Sequence, residues 1–155
     1  MRGRRLGIDP GDVRVGLAVS DADGILAGPL KTLINSDTIV AELLDVIREH
    51  DIVEVYVGFP LNLKGQWTPS TDKAVSLARA LAQEIDIPVR LVDERLTTSS
   101  ANRVLRDVGR SQRRSRSVID QIAAVTLLQQ ALDEMASFNR LPGRDLGEVV
   151  AEHDG

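Results

Sequence analysis

Three acidic positions, far apart in the chain, carry the chemistry that this sequence is equipped to do. Asp9 closes a short apolar run, Leu6-Gly7-Ile8, and is followed by Pro10-Gly11-Asp12, a tight-turn signal. Asp93 and Glu94 end a second apolar run, and Asp120 lies near the start of VIDQIAAVTLLQQAL, the longest helical pattern in the chain. A carboxylate at the end of a buried strand is costly to hold without a partner. Carboxylates that converge from separate elements make an oxygen-rich pocket suited to Mg²⁺ or Mn²⁺. Two such ions about 3.5–4 Å apart clamp the attacking water and the leaving oxygen of a phosphodiester. Cysteine is absent and no Ser-His pair is well placed, so nothing points to a side-chain nucleophile.

Each acid also has a plainer role open to it. Asp9 suits a turn aspartate bonded to its own backbone. Asp120 suits the first turn of a helix, where the macrodipole favours negative charge. Asp93, Glu94 and Arg95 suit a solvated surface cluster. The site reading rests on the coincidence of all three with one ordered topology.

The elements that must position these acids follow from periodicity and turn chemistry. Arg5 to Asp9 and Val13 to Ser20 read as a hairpin, and Gly7 and Gly16 within them predict close backbone approach. Ile25 to Leu33 reads as a third strand. Ser36 is placed to cap a helix from Asp37 to about His50, with Ile39, Val40, Leu43, Leu44 and Ile47 on one face. Ile52 to Gly58, apolar except at Glu54, fits a buried parallel strand. After the loop Gly58 to Gly65, a helix is expected from Pro69 or Ser70 to about Glu84, then a strand from Val89 to Val92. Further helices are expected from Ser99 to about Val108 and from Val118 to about Phe138, separated by a polar loop from Gly109 to Ser117. The order β-β-β-α-β-α-β-α-α predicts an α/β fold of ribonuclease-H-like arrangement, a five-stranded mixed sheet with helices on both faces. Residues 1–140 are expected to form a single domain and residues 141–155 an acidic, poorly ordered tail.

Composition narrows the function. At 155 residues with 43% hydrophobic side chains, the chain can bury a core without staples. Aromatic residues are only 3%, too few for a single-strand binder built on stacking platforms. Net charge is −4, yet six arginines and one acid lie between Arg103 and Arg116, a basic segment on an acidic body. That distribution suits a nucleic acid steered to one place. No apolar run reaches membrane-spanning length and no leader precedes the first strand, so a cytoplasmic location is expected.

Four ordered stretches resemble the YqgF, or RuvX, family of pre-16S ribosomal RNA nucleases and Holliday junction resolvases. They are GIDPGDVRVGLAVSD from Gly7, GFPLNLKG from Gly58, VDERLTTSSANR from Val92 and VIDQIAAVTLLQQAL from Val118. The resemblance implies a divalent-metal endonuclease using Mg²⁺ or Mn²⁺, with catalytic acids at Asp9, Glu94 and Asp120 and with Gly11, Arg14 and the Gly58 to Gly65 loop lining the cleft. Asp93 is the reserve for the second acid, because it adjoins Glu94 at the strand end. Arg14, Arg95, Arg113, Arg114 and Arg116 are the expected phosphate contacts. Pre-16S ribosomal RNA is the favoured substrate and a Holliday junction the alternative. Symmetric cutting of a junction would call for a two-fold homodimer rather than a monomer. Two other classes compete. A sugar-kinase-like phosphotransferase would need a second lobe that this length does not hold. A non-catalytic nucleic-acid-binding module would keep the arginines without needing the acids.

Overall fold

A computed structural model describes residues 2–94, 114–138 and 142–154. Three strands come first, β1 (Arg4–Pro10), β2 (Arg14–Ser20) and β3 (Ala27–Ile34). Two crossovers follow, through α1 (Ile39–Glu49) to β4 (Ile52–Phe59) and through α2 (Pro69–Ala82) to β5 (Val89–Asp93). The remaining elements are α3 (Arg114–Phe138), β6 (Arg144–Asp145) and α4 (Leu146–Asp154). The strands form one mixed sheet in the order β3-β2-β1-β4-β5-β6. The β1/β2 and β2/β3 pairs are antiparallel, whereas β1/β4 and β4/β5 are parallel.

Side-chain alternation sorts the sheet into two faces. On one, Leu6 and Ile8 of β1, Val55, Val57 and Phe59 of β4 and Leu91 of β5 join α1, α2 and Val149 of α4 in the larger core. On the other, Ala18, Tyr56 and Val92 pack under α3. That helix buries Ala124, Leu127, Leu128, Ala131 and Leu132, a stripe at helical spacing. It has no acid in its first turn and no base in its last. Such end charges are worth about 0.3–1 kcal/mol each. Burying a leucine contributes about 1.5–3 kcal/mol, so packing onto the sheet decides where α3 lies.

Three neighbouring strands present matched rows to α3: Arg5-Gly7-Asp9, Glu54-Tyr56-Gly58 and Arg90-Val92-Glu94. Their early ends hold a buried polar network. Arg5 Nη2 lies 3.5 Å from Glu54 Oε1, and the Tyr56 hydroxyl donates to Glu54 Oε2. Burial, then the carboxylate beside it, pushes the Tyr56 phenol far above its ordinary range. Their late ends hold Asp9 and Glu94, with Gly58 between.

The sheet has six strands where five were expected, and the difference lies in the tail. The segment expected to be poorly ordered forms β6 and α4. Arg144 and Asp145 pair with Leu91 and Arg90 of β5. Arg90 donates from Nε to the Pro142 carbonyl at 2.6 Å and from Nη2 to that of Gly143 at 3.0 Å. Val149 is buried, Leu146 and Val150 pack beside it, and His153 stacks on Trp67 with ring centroids 3.6 Å apart. The acids of the tail mask this apolar spacing, which is short for a periodic signal.

At the start of α1, Thr38 rather than Ser36 occupies the N-cap, and Ser36 instead accepts a bond from the Thr38 N–H at 3.3 Å. The last long helix already includes Arg114, ahead of the expected start at Val118, so Arg114 and Arg116 sit on helical backbone rather than in a loop. The helix expected from Ser99 to Val108 lies outside the described residues.

Candidate active site

The acids meet at the carboxyl ends of the parallel strands, the edge where open α/β sheets form their ligand crevices. Asp9 arrives at the end of β1, opposite Gly16 of β2. Glu94 follows β5 directly, and Asp120 comes from the second turn of α3. Since α3 already includes Arg114, Asp120 lies beyond the first turn, where the macrodipole acts. That removes the plainer account of this acid.

Asp9 and Glu94 are hydrogen-bonded to one another. Two carboxyl groups bond only if one keeps a proton. Burial first, then the bond to Glu94 and the negative charges of Glu94 and Asp120, hold the Asp9 carboxyl well above its usual range. Burial also raises Glu94; the Asp9 bond lowers it, and Asp93 nearby raises it. The pair therefore holds one proton between the two carboxyl groups. Alternation along β5 separates the adjacent acids. Arg90, Val92 and Glu94 share the α3 side, whereas Asp93 shares parity with Leu91, is paired with Phe59, and acts on Glu94 only through space. Glu94, not the reserve Asp93, is the one that reaches Asp9.

Two glycines allow this convergence. A Cβ on Gly16 would lie 2.1 Å from the Asp120 carbonyl oxygen, so β2 and α3 touch backbone to backbone. A Cβ on Gly58 would lie 2.7 Å from Glu94 Oε1, so the missing side chain leaves room for that carboxylate beside β4. Gly16 is one of the two in-strand glycines whose close approach the sequence predicts.

Of the expected phosphate contacts, Arg14 is brought to the acids. Its Nε donates to Asp120 Oδ2 at 2.7 Å. Arg95 and Arg113 lie outside the described residues, and of Arg114 and Arg116 only the helical backbone is described. Sequence reasoning missed the bracing of the neighbouring loop. Asn62 Oδ1 accepts from the backbone N–H groups of Lys64 and Gln66, and Thr71 donates its hydroxyl to the Pro60 carbonyl. Thr68 and Thr71 form a reciprocal cap on α2. Asn62, three residues before Gly65, is the signal that could have disclosed the turn. A groove of about 650 Å³ beside the β1–β2 turn is lined by Gly11, Asp12, Asn35, Pro60 and Lys73 among others, and Lys73 Nζ pairs with Asp12 at 3.0 Å across it.

Among the described residues, no three of His, Cys, Asp and Glu are gathered tightly enough to hold a metal ion as they stand. The donor chemistry nevertheless fits a hard divalent cation. Asp9, Glu94 and Asp120 offer only carboxylate oxygens. Their mutual repulsion is relieved at present by one proton and one guanidinium, two positive charges where a dication would place its own. Among the described residues, no helix is long and apolar enough to cross a membrane.

Residues 3–134 match the model of the RuvX family, described as Holliday junction resolvase. A protein of Nocardia farcinica named "Putative pre-16S rRNA nuclease" is 46% identical over 151 residues, covering 92% of this chain and 84% of its own. One of the same name from Streptomyces coelicolor is 45% identical over 152 residues, covering 96% and 91%. Among solved structures, Thermus thermophilus RuvC in complex with a Holliday junction substrate superposes with a TM-score of 0.60 at 17% identity, covering 90% of this chain and 99% of that one. The fold is thus RuvC-like, of the ribonuclease-H type that the strand order predicts.

Proposed function

The chain belongs to the RuvX family, and from that footing we propose that it is a cytoplasmic, Mg²⁺- or Mn²⁺-dependent endonuclease that trims the 5′ end of pre-16S ribosomal RNA. The observation that carries this reading is the bonded pair Asp9–Glu94 with Asp120 close enough to raise the Asp9 carboxyl further. Relatives across most of the chain's length bear the ribosomal RNA name, which favours RNA as the substrate.

Asp9, Glu94 and Asp120 would hold the cation, with Glu94, just past β5, rather than Asp93 as the ligand there. A bound dication supplies Lewis-acid stabilisation of phosphodiester oxygens and lowers the pKa of water. The chain's own residues do the rest. The proton shared by Asp9 and Glu94 must leave before both members of the pair can act as ligands, which sets a lower pH limit on activity. Gly58 leaves room for Glu94. Arg95, Arg113, Arg114 and Arg116 would hold flanking phosphates with little reading of bases. The acidic remainder of the surface repels nucleic acid elsewhere and so directs it to this edge.

The family description favours a second substrate, a four-way DNA junction cut by a homodimer. Side-by-side cleavage of pre-16S RNA and a four-way junction, with the mass of the enzyme in solution measured in the same buffer, decides between them. RNA cleavage that Asp9→Asn abolishes is the expected result. Preference for the junction by a dimer would reverse the substrate assignment. Binding of RNA with no cleavage of either substrate in Mg²⁺ or Mn²⁺ would leave only a binding module.

A further inference from the structure

Arg14 is the most informative residue that this mechanism has not used. It stands at the outer end of β2, on the side that faces α3, and its backbone closes the β1–β2 turn by accepting from the Gly11 N–H at 3.0 Å. Instead of reaching outward for a phosphate, its guanidinium bonds Asp120. The two side chains are 29% and 22% exposed, so the pair is neither sealed in the core nor freely solvated. The contact runs through Nε to one oxygen, not as the two-pronged fork that makes arginine–carboxylate pairs strong. Asp120 itself has little freedom to retreat, because its backbone is pressed against Gly16.

We propose that Arg14 is a positioning residue that latches Asp120, and that a backbone phosphate of structured RNA exchanges onto its guanidinium and frees the carboxylate for the divalent cation. The proposal rests on the reading of the three acids as a cation site. A guanidinium and a dication on one carboxylate repel each other, so cation binding must loosen the Arg14 contact. A phosphate offers the same guanidinium a bidentate partner that Asp120 does not. The exchange therefore couples the two ligands: RNA tightens the cation, and the cation tightens RNA by the same factor. A metal-free enzyme held this way keeps its cation affinity low until substrate is present.

The test is calorimetric titration of Mn²⁺ into wild type, Arg14→Gln, Arg14→Lys and Asp9→Asn, each with and without a 2′-O-methylated RNA duplex that resists cleavage. Without RNA, Arg14→Gln should bind Mn²⁺ about two- to fivefold more tightly than wild type, the bias that a partly exposed ion pair sets. The RNA duplex should tighten Mn²⁺ on wild type and leave Arg14→Gln unchanged. Arg14→Lys keeps the charge without the planar fork and should fall between them. Equal or weaker Mn²⁺ binding by Arg14→Gln, or an undiminished RNA effect in it, would overturn the latch while leaving the cation site standing. Absence of Mn²⁺ binding by wild type, or full binding by Asp9→Asn, would overturn the cation site and the latch with it.

Discussion

Replacing Gly58 by alanine should separate the site from the fold. The new Cβ would lie 2.7 Å from Glu94 Oε1, 3.2 Å from its Cγ and 3.3 Å from Leu127 Cδ2. What must give is the far end of a flexible side chain, so Glu94 turns away from Asp9 while the backbone stays. The packing cost is about 1 kcal/mol, the low end for overfilled cores. Alanine returns about 0.4–1 kcal/mol by restricting the unfolded chain. The net change then stays within about 1 kcal/mol, or about 2–4 °C in Tm for a chain of this length. Displacing a catalytic group by about 1 Å costs on the order of 100-fold in rate. Gly58→Ala should therefore melt close to wild type and cut about 100-fold more slowly. Gly16→Ala supplies the contrast, because its Cβ would meet the Asp120 carbonyl oxygen at 2.1 Å and the carbon at 2.5 Å. Two backbones must part, at a cost of about 3 kcal/mol, the upper end of the same range, or about 6–12 °C. Circular dichroism melts and single-turnover cleavage read both effects. A Gly58→Ala enzyme that cuts at the wild-type rate, or a Gly16→Ala protein that melts with wild type, would refute the reasoning.

Three more predictions follow from the charges. Asp9 and Glu94 are both raised in the folded state, so their stabilisation is present at acid pH and is lost as pH climbs through the raised values. Metal-free wild type should therefore lose Tm relative to Asp9→Asn on going from acid to neutral pH, and Mn²⁺ should restore wild type at neutral pH but scarcely at the acid end; a pH-independent difference between the two would contradict this. Glu54→Ala should cost about 3–5 kcal/mol by stranding the charge of Arg5 in the core, whereas the combined Arg5→Met, Glu54→Leu, Tyr56→Phe variant should unfold in urea near the wild-type midpoint. Neutralising Arg113, Arg114 and Arg116 together should weaken RNA binding and flatten its dependence on log salt by about 2–3 units of slope, and an unchanged slope would remove them as phosphate contacts.

The site was more legible in the sequence than the scaffold that completes it. Asp9 stands out because a carboxylate ending the Leu6-Gly7-Ile8 run has no apolar reason to be there. Asp120 needs the start of α3, which sequence periodicity sets too late because Arg114 to Ser117, already helical, are all polar. Which of Asp93 and Glu94 lies on the α3 side turns on a parity that one short strand cannot disclose; Val92 under α3 and Leu91 in the larger core put Glu94 on that side. The Arg5–Glu54–Tyr56 network was hidden because its members are distant or alternate with valines, although Glu54 inside an apolar strand was the visible clue. The Arg14–Asp120 pair spans 106 residues, and no local spacing encodes it. The tail failed for a different reason. Its fold depends on Val149, Trp67 and Arg90 meeting in space, and composition alone reads its acids as solvated chain.

The measurement that tests the central claim most directly is a crystal structure of the protein grown with Mn²⁺, with anomalous differences recorded at the manganese edge. A peak bridging the carboxylates of Asp9 and Glu94, with Asp120 turned from Arg14 to complete it, is the predicted result. Manganese bound elsewhere while Asp9 and Glu94 keep their hydrogen bond would contradict the account.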